Sequence, residues 1–269
     1  MPAPVPGKPL QIKTSGGFME QIITRHRHET RRRSLTITEI FRLTPNMIRV
    51  ELAGEDLADF ISLGADDHIK IFPEGAGDGA EMRDYTPRRY DNAAQSLTVD
   101  FAVHGEGSPD QGPATRWVMT AAPGDRLEIG GPRGSAVVAP VFDWYLLIGD
   151  ETALPAIGRR AEELEAGVRV LTLAAVDSAA DEQVFETRAS HEPHWVHRPL
   201  DQAHEPGPLL DALAGLALPE GRGFVWIAAE ASVTRALRAQ IFERGHPKEW
   251  VKAAGYWVRG AADTTEKFD

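Results

Sequence analysis

The sequence predicts a two-domain protein in which an antiparallel β domain, a barrel or a sandwich, is followed by an α/β domain with a parallel sheet. Three observations support this fold class. The chain has 269 residues, which exceeds the usual size of a single hydrophobic core. Short strands of alternating polarity, separated by turn residues, fill the chain up to about Val141. Beyond that point, continuous apolar strands alternate with helical segments, as is typical of a parallel sheet with helices on both faces.

The composition excludes several functional classes. Asp plus Glu number 40 against 29 Lys plus Arg, so the formal net charge is −11. Such a chain repels nucleic acid and anionic lipid, and an anionic ligand would need a local basic patch. The absence of cysteine excludes disulfides, thiolate-held iron–sulfur clusters and a cysteine nucleophile. The first residues lack an apolar signal core and no later run is long enough to span a membrane, so we expect a cytoplasmic protein without membrane insertion.

The first predicted domain, residues 18–141, follows a leader of residues 1–17 that is rich in proline and glycine. A basic run then extends from Arg25 to Arg33. It is either an anion-binding arm or a solvated terminal face, and the acidic remainder of the chain favours the second interpretation. Strands of alternating polarity are predicted at residues 34–40, 47–52, 68–72, 96–103 and 126–129.

The second predicted domain, residues 142–269, begins where the polarity pattern changes. Ser232 is expected to cap a helix that ends before Gly245. The other predicted helices are residues 154–165 and 209–216. Strands are predicted at residues 144–148, 168–176, 195–197, 224–229 and 250–258. The carboxyl ends of such parallel strands share one edge, where ligands bind.

A compact motif of chemically distinct side chains lies just before a predicted strand. Arg83 and Tyr85 lie one pleat apart on the same side of an extended backbone, and Thr86 follows at the edge. A guanidinium can clamp a phosphate, a phenol can lie against a flat ring, and a hydroxyl can reach a ring nitrogen or carbonyl. The motif therefore suits a ligand with a phosphate at one end and a flat ring at the other. The alternative is a surface strand with an incidental Arg and Tyr.

Two further segments offer groups suited to phosphate. The turn Gly112–Thr115 opens a short helix and presents free backbone N–H groups and a hydroxyl. A structural helix start is the alternative. The loop Gly149–Ile157 follows the first predicted parallel strand, at the edge where ligands bind. This loop does not match the Gly-x-Gly-x-x-Gly motif of dinucleotide-binding proteins. Its two acidic residues, Asp150 and Glu151, also differ from a simple phosphate-binding loop.

Taken together, these segments resemble the siderophore-interacting protein family, the FAD-dependent ferric-siderophore reductases of the ferredoxin-reductase-like superfamily. The resemblance is carried by the Arg-x-Tyr-Thr motif, the Gly-Pro-Ala-Thr turn, the string Gly-Asp-Glu-Thr-Ala-Leu-Pro-Ala from Gly149 and the string Gly-Tyr-Trp-x-x-Gly from Gly255. It runs from about Leu35 to Gly260. It implies a flavin-binding β-barrel followed by a nicotinamide-binding α/β domain.

The resemblance also implies which residues bind the cofactors. Those implied for FAD are Arg83, Tyr85, Thr86, His104, Gly112, Ala114 and Thr115. Arg133 would lie near bound cofactor at the domain cleft, although a plain glycine turn explains its segment equally well. Those implied at the site of NADH or NADPH are Gly149, Asp150, Glu151, Thr152 and Glu230, and Trp257 is a further cofactor contact. The choice between NADH and NADPH stays open.

A ferric siderophore is often anionic, so a basic patch beside the flavin edge is expected to receive it. The candidates for this patch are Arg88, Arg89, Lys252 and Arg259, with ordinary surface bases as the alternative. No protein-bound metal is expected, because the histidines of a predicted loop lack a carboxylate or supporting pattern. They are His191, His194, His197 and His204.

The predicted function is reduction of siderophore-bound Fe(III) to Fe(II) by a monomer that uses FAD and NAD(P)H or another reductant. Hard oxygen chelators hold Fe(II) less tightly, so reduction releases the iron. The flavin carries the chemistry and no catalytic side chain is expected. One alternative is a flavin reductase or electron-transfer flavoprotein with another acceptor. The other is a non-enzymatic ferric-siderophore carrier, which would have no need of the Arg83 motif.

Overall fold

The structure of the chain is a computed structural model that describes residues 22–73, 82–105, 112–261 and 264–268. The predicted leader, residues 1–17, lies outside these ranges. Within them, an antiparallel sheet is followed along the chain by a mostly parallel one. No helix in the described ranges is both long and apolar enough to cross a membrane.

The first half of the chain is built from strands and one short helix. The strands are β1 (Ile23–Arg27), β2 (Arg32–Thr44), β3 (Met47–Ala53), β4 (Ile69–Pro73), β5 (Arg83–Tyr85), β6 (Pro87–Asp91), β7 (Ser96–Ala102), β8 (Arg126–Gly130) and β9 (Gly134–Val138), and the helix is α1 (Pro113–Val118). The predicted alternation is visible in β8, where Leu127 and Ile129 are fully buried while Arg126 and Glu128 point outwards.

Seven of these strands form an antiparallel sheet in the order β5-β4-β8-β2-β3-β7-β6. The two edge strands, β5 and β6, are consecutive in the chain and are separated by Thr86 alone. Because one residue joins β5 to β6, the two edges of the sheet must come close together. The sheet therefore curls into a barrel around one apolar core. Thr86, from the predicted flavin motif, marks the seam of this barrel.

The second half is an α/β domain. Its elements are β10 (Trp144–Gly149), α2 (Leu154–Glu163), β11 (Arg169–Val176), β12 (Ser190–His197), α3 (Gly207–Gly215), β13 (Gly223–Glu230), α4 (Ala231–Glu243), β14 (Val251–Trp257) and β15 (Glu266–Phe268). The sheet order is β12-β11-β10-β13-β14-β15, and only β15 pairs antiparallel.

Helices cover both faces of this sheet. Tyr145 and Leu147 of β10 pack in one core with residues of α2, whereas Leu146 and Ile148 pack in another with residues of α3 and α4. Successive side chains of a strand point to opposite faces, so both faces of β10 are buried and the strand is apolar throughout. The predicted fold class is confirmed at this level.

Two local predictions were wrong. Glu230, not Ser232, caps α4, because its carboxylate accepts the free N–H groups of the first turn. The predicted histidine loop is largely strand, since β12 runs from Ser190 to His197 with Pro193 on an edge strand, where a missing N–H is tolerated. The start of the basic run pairs as β1 with β9, while its Arg25, His26 and Arg27 side chains are exposed.

The strand order of the parallel sheet indicates the crevice where a ligand would bind. From β10 the chain passes through α2 to β11 on one side, while β13 lies on the other side of β10. The carboxyl ends of β10 and β13 therefore flank the point where the winding reverses, and ligands of open α/β sheets bind there. Gly149 and Glu230 end these two strands.

Candidate functional site

Asp150 connects three segments at the carboxyl edge of the parallel sheet. Its side chain is almost completely buried. One carboxylate oxygen accepts from the Glu230 backbone N–H at 3.2 Å and from the Trp257 indole N–H at 2.9 Å. The other accepts from the Thr152 backbone N–H at 2.9 Å and from the Thr152 hydroxyl at 2.5 Å. The Asp150 carboxylate thus fixes the floor of the crevice, and its acceptors are used within the protein.

Glu230 closes the amino end of α4. One of its carboxylate oxygens accepts from the backbone N–H groups of Ser232 and Val233, and from the Ser232 hydroxyl. The other accepts from the Arg259 backbone N–H at 3.3 Å. Burial acts to raise the pKa of Glu230, but these hydrogen bonds outweigh it and hold the pKa below its ordinary value. A carboxylate therefore occupies the helix end where a phosphate could otherwise bind.

Glu151 forms a buried ion pair with Arg198. The guanidinium donates to both carboxylate oxygens at 2.7 Å, and both side chains are at most 5 % exposed. Burial raises the pKa of Glu151 to about 7; the bonds from Arg198 oppose this shift and the charge of Asp150 adds to it. The net charge beside the crevice consequently changes near neutral pH.

His104 brings the barrel to the same place. Burial lowers its pKa, and the charge of Asp150 opposes this while that of Arg198 adds to it. The imidazole is therefore neutral at neutral pH. It follows β7 of the barrel, yet it lies within electrostatic reach of two residues at the crevice of the α/β domain. The two halves of the chain meet at the predicted cofactor segments.

The two predicted flavin segments share one face of the barrel. The ring of Tyr85 packs on Phe101 with centroids 4.3 Å apart, and Phe101 packs on Trp117 of α1 at 5.6 Å. Phe101 thus bridges the Arg83 motif and the Gly112–Thr115 turn. Burial raises the pKa of the Tyr85 hydroxyl, so the phenol stays neutral.

Two threonine hydroxyls on this face are open to a ligand. Thr86 is 6 % exposed and Thr115 is 7 % exposed. Neither side chain has a hydrogen-bond partner among the residues that the structure describes. A Cβ placed on Gly112 would meet no atom of the described residues within 4 Å. This donor set fits a cofactor with hydroxyl, ring and phosphate groups such as FAD.

Gly149 is required by packing. A Cβ at this position would lie 2.4 Å from the Ala153 Cβ and 2.7 Å from the Ala228 carbonyl oxygen. The strand-to-helix turn after β10 can therefore pass close to β13 only with glycine.

The four predicted siderophore contacts do not form one patch. Arg88 is buried in an ion pair with Glu162. Lys252 pairs with Asp66 at 2.5 Å, near the start of β14, whereas Arg259 lies beyond its end. Five strand residues between Lys252 and the end of β14 span about 17 Å.

The remaining predicted cations are exposed. Arg89 is half-exposed and pairs with Glu162, and the exposed Arg259 contacts His204. Arg133, predicted near the cofactor, is exposed in the turn before β9. In the described residues, no group of three or more His, Asp or Glu side chains is placed to hold a metal ion.

Comparison with known proteins fits this arrangement. Residues 36–81 and 75–136 match the model of the siderophore-interacting FAD-binding domain, and residues 142–260 match that of the siderophore-interacting protein family. The NADPH-dependent ferric-chelate reductase of Escherichia coli strain K12 is 32% identical over 256 residues, which cover 87% of this chain and 95% of the relative. The chain belongs to the siderophore-interacting protein family.

Solved structures agree with this family and with the fold. A siderophore utilization protein from T. fusca is 37% identical, with a TM-score of 0.82 over 90% of this chain and 98% of that one. The ferredoxin-NADP+ reductase of Plasmodium falciparum is only 13% identical but has a TM-score of 0.63 over 81% of this chain and 94% of that one. This second likeness shows the fold alone, which is ferredoxin-reductase-like, as predicted.

Several residues that shape this family member's site were missed from the sequence. Arg198 follows β12 directly, and it would have been a candidate had the whole strand been recognised. Arg159, Asp66 and Glu162 act across the domain boundary. No local pattern marks these three, because their partners lie tens of residues away.

Proposed function

We propose that the chain is an FAD-dependent reductase of ferric siderophores that draws electrons from NADPH or NADH, and that it acts as a cytoplasmic monomer. The observation that carries the proposal is that two predicted cofactor segments come close together, since His104 of the barrel lies within electrostatic reach of Asp150 of the α/β domain. A relative with 32% identity is named as an NADPH-dependent ferric-chelate reductase.

In this proposal the barrel holds FAD through the seam motif and the α1 turn. Arg83 supplies a guanidinium for phosphate, Tyr85 a neutral ring, and Thr86 and Thr115 supply the open hydroxyls. Gly112 and Ala114 belong to the turn that borders the diphosphate. When bound, FAD supplies a centre that takes a hydride from the nicotinamide and passes electrons singly to Fe(III).

The crevice between β10 and β13 receives the nicotinamide cofactor. Its surface is fixed by Asp150, Glu151 and Glu230, whose carboxylates are held by internal hydrogen bonds. They give the crevice its shape, while the Thr152 segment and the edge of Trp257 face the ligand. The imidazole of His104 borders the same crevice. Because it is neutral, it adds no charge to the surroundings of the cofactor.

The siderophore is proposed to contact Arg259 and Arg89, the exposed members of the predicted basic set. Arg88 and Lys252 are left out of this contact because their ion pairs with Glu162 and Asp66 leave little of either side chain exposed, whereas Arg89, which also pairs with Glu162, is half-exposed. Fe(II) is then released because its oxygen chelator holds it weakly.

The test is anaerobic. FAD-loaded protein is mixed with NADPH or NADH and a ferric siderophore, while flavin absorbance is followed and Fe(II) is trapped with a chromogenic chelator. A hydride carries two electrons, so the expected yield is two Fe(II) per nicotinamide oxidised. Arg83→Ala is expected to lose FAD, whereas Arg126→Ala, a surface arginine of the barrel, is expected to behave as wild type.

Other outcomes separate the alternatives. Flavin bleaching without trapped Fe(II) would identify a flavoprotein with another acceptor. Siderophore binding without any bleaching would identify a carrier. Failure to bind FAD at all would overturn the assignment of the Arg83 motif.

A further inference from the structure

A buried arginine of the barrel reaches into the α/β domain. Arg88 of β6 is 2 % exposed. Its two terminal nitrogens donate to the two carboxylate oxygens of Glu162 on α2, at 2.7 and 2.6 Å. Its Nε lies 3.8 Å from a carboxylate oxygen of Asp100 on β7. The guanidinium is thus hydrogen-bonded across the domain boundary to Glu162, while its Nε has no hydrogen-bond partner among the described residues.

A second buried arginine crosses the boundary in the opposite direction. Arg159 of α2 is 4 % exposed. It donates to the Ser62 hydroxyl at 2.8 Å, the Ser62 carbonyl at 2.7 Å and the Pro87 carbonyl at 2.9 Å, all in the barrel. Its Nε donates to Glu163 of its own helix at 2.7 Å. We call Arg88 and Arg159 the crossed arginine pair.

Gly158 lets the two elements come together between these arginines. A Cβ at Gly158 would lie 2.8 Å from an Arg88 terminal nitrogen and 2.7 Å from a ring carbon of Phe185. A larger residue would force the Arg88 guanidinium, the Phe185 ring or α2 itself to shift. The approach of α2 to the barrel is therefore fixed both by hydrogen bonds and by contact.

The crossed arginine pair lies next to both cofactor segments. Arg88 is two residues after Thr86 at the barrel seam, about 7 Å along an extended chain. Arg159 is five residues after the first residue of α2, about 8 Å along a helix that begins directly behind the crevice loop. Displacement of α2 relative to β6 would move one cofactor segment relative to the other.

We propose that Arg88 and Arg159 are positioning residues that hold the two cofactor segments in register for hydride transfer. This inference rests on the proposed function. Hydride transfer needs the reacting atoms within about 3–3.5 Å, and a displacement of about 1 Å can slow such a step about 100-fold. An apolar interface would tolerate sliding, whereas directional hydrogen bonds to buried guanidinium groups define one relative position of β6 and α2.

Other contacts keep the two domains attached when this pair is disturbed. Asn46 donates through its backbone and side-chain amides to Asp181 at 2.9 and 3.0 Å, and Lys252 pairs with Asp66. Substitutions in the crossed arginine pair should therefore loosen the register without separating the domains.

The first experiment measures the register without using enzyme activity. The sequence contains no cysteine, so spin labels can be attached at Glu39→Cys in the barrel and Ala239→Cys on α4, both of which are exposed. Electron–electron double resonance is expected to give a narrow distance distribution in the parent protein and a distinctly broader one in Arg159→Met. Arg33→Met is the matched control, because Arg33 is buried but contacts only the barrel.

The second experiment separates hydride transfer from electron transfer in the FAD-loaded protein. Arg159→Met is expected to slow flavin bleaching by saturating NADPH about 100-fold. Oxidation of the dithionite-reduced protein by ferric EDTA is expected to stay within about twofold of wild type, because electron transfer tolerates a longer gap than hydride transfer. Arg33→Met should leave both rates unchanged.

An unchanged distance distribution together with unchanged bleaching would overturn the inference. If Arg159→Met fails to fold, Arg159→Lys and Glu162→Gln give the same comparison with smaller changes, and equal rates in both would again overturn it. If wild-type protein is not bleached by either nicotinamide, the proposed function fails, whereas the distance measurement still reports on the register.

Discussion

The indole N–H of Trp257 donates to the carboxylate of Asp150 at 2.9 Å, which links the end of β14 to the end of β10 across β13. The same carboxylate also holds the Glu230 backbone N–H. The Asp150 carboxylate therefore joins the ends of neighbouring strands at the crevice by accepting their N–H groups. Its oxygens are used in hydrogen bonds within the protein.

Asp150→Asn is expected to lower the free energy of unfolding by about 3 kcal/mol, since a neutral amide loses charge-assisted bonds and turns an N–H₂ towards existing donors. The affinity for NADPH should fall with it, because Trp257 loses its anchor. Urea unfolding and calorimetric titration measure the two effects. Asp177→Asn, at an exposed carboxylate beyond β11, should change the unfolding free energy by less than about 0.5 kcal/mol. Equal effects in both variants would contradict the role of Asp150.

Gly149→Ala is expected to destabilise the protein by about 2–3 kcal/mol, because its Cβ would lie 2.4 Å from that of Ala153. The control is Gly215→Ala at the end of α3, where a Cβ meets nothing within 4 Å. That substitution should be neutral or stabilise by up to about 1 kcal/mol, since it reduces the entropy of the unfolded chain. Thermal unfolding of the two variants provides the comparison, and a stable Gly149→Ala protein would show that the turn can relax.

The affinity for NADH should rise as the pH falls through about 7. Burial raises the pKa of Glu151 to about 7, and protonation there leaves the charge of Arg198 available to an anionic cofactor. Titration calorimetry with NADH between pH 6 and 8 tests this, and Glu151→Gln should remove the slope. A slope that persists in Glu151→Gln would assign the titration to another group.

The raised pKa of the Glu151 carboxyl also predicts how the stability of the protein changes with pH. Its folded pKa lies above the unfolded value of about 4.3, so the folded state binds more protons between these values. Its contribution to stability is therefore present at low pH and is lost as the pH rises to about 7. Urea midpoints from pH 5 to 8 should show this fall in wild type and not in Glu151→Gln.

Thr86→Val is expected to weaken FAD binding about 5–10-fold, which corresponds to about one hydrogen bond. The stability of the apo-protein should not fall, because the hydroxyl has no hydrogen-bond partner among the described residues. Fluorescence titration of apo-protein with FAD measures the affinity. Thr38→Val is the control, since its hydroxyl donates to the Glu51 carbonyl on the barrel surface. Unchanged FAD affinity in Thr86→Val would remove this residue from the proposed contacts.

Much of the fold could be predicted because the relevant signals are local. The alternation of polarity in β8 and the continuous apolar run of β10 each reflect how many faces of a strand are buried. The crevice loop was also located correctly on the sheet edge, because a loop after a parallel strand can lie nowhere else. Element ends were less predictable: the cap of α4 is a glutamate at the last position of a buried strand, which no propensity for Ser or Asp would reveal.

The sequence by itself determined the two sheet types, their order along the chain and the positions of the loop after β10 and of the turn that begins α1, because each depends on short-range periodicity or on residues a few positions apart. Only the tertiary structure decided the state of the charged residues. Arg88 and Lys252, which looked like a surface patch, are neutralised by Glu162 and Asp66. The physical reason is that an ion pair depends on which distant carboxylate the folded chain brings within about 4 Å, and no local pattern encodes that meeting.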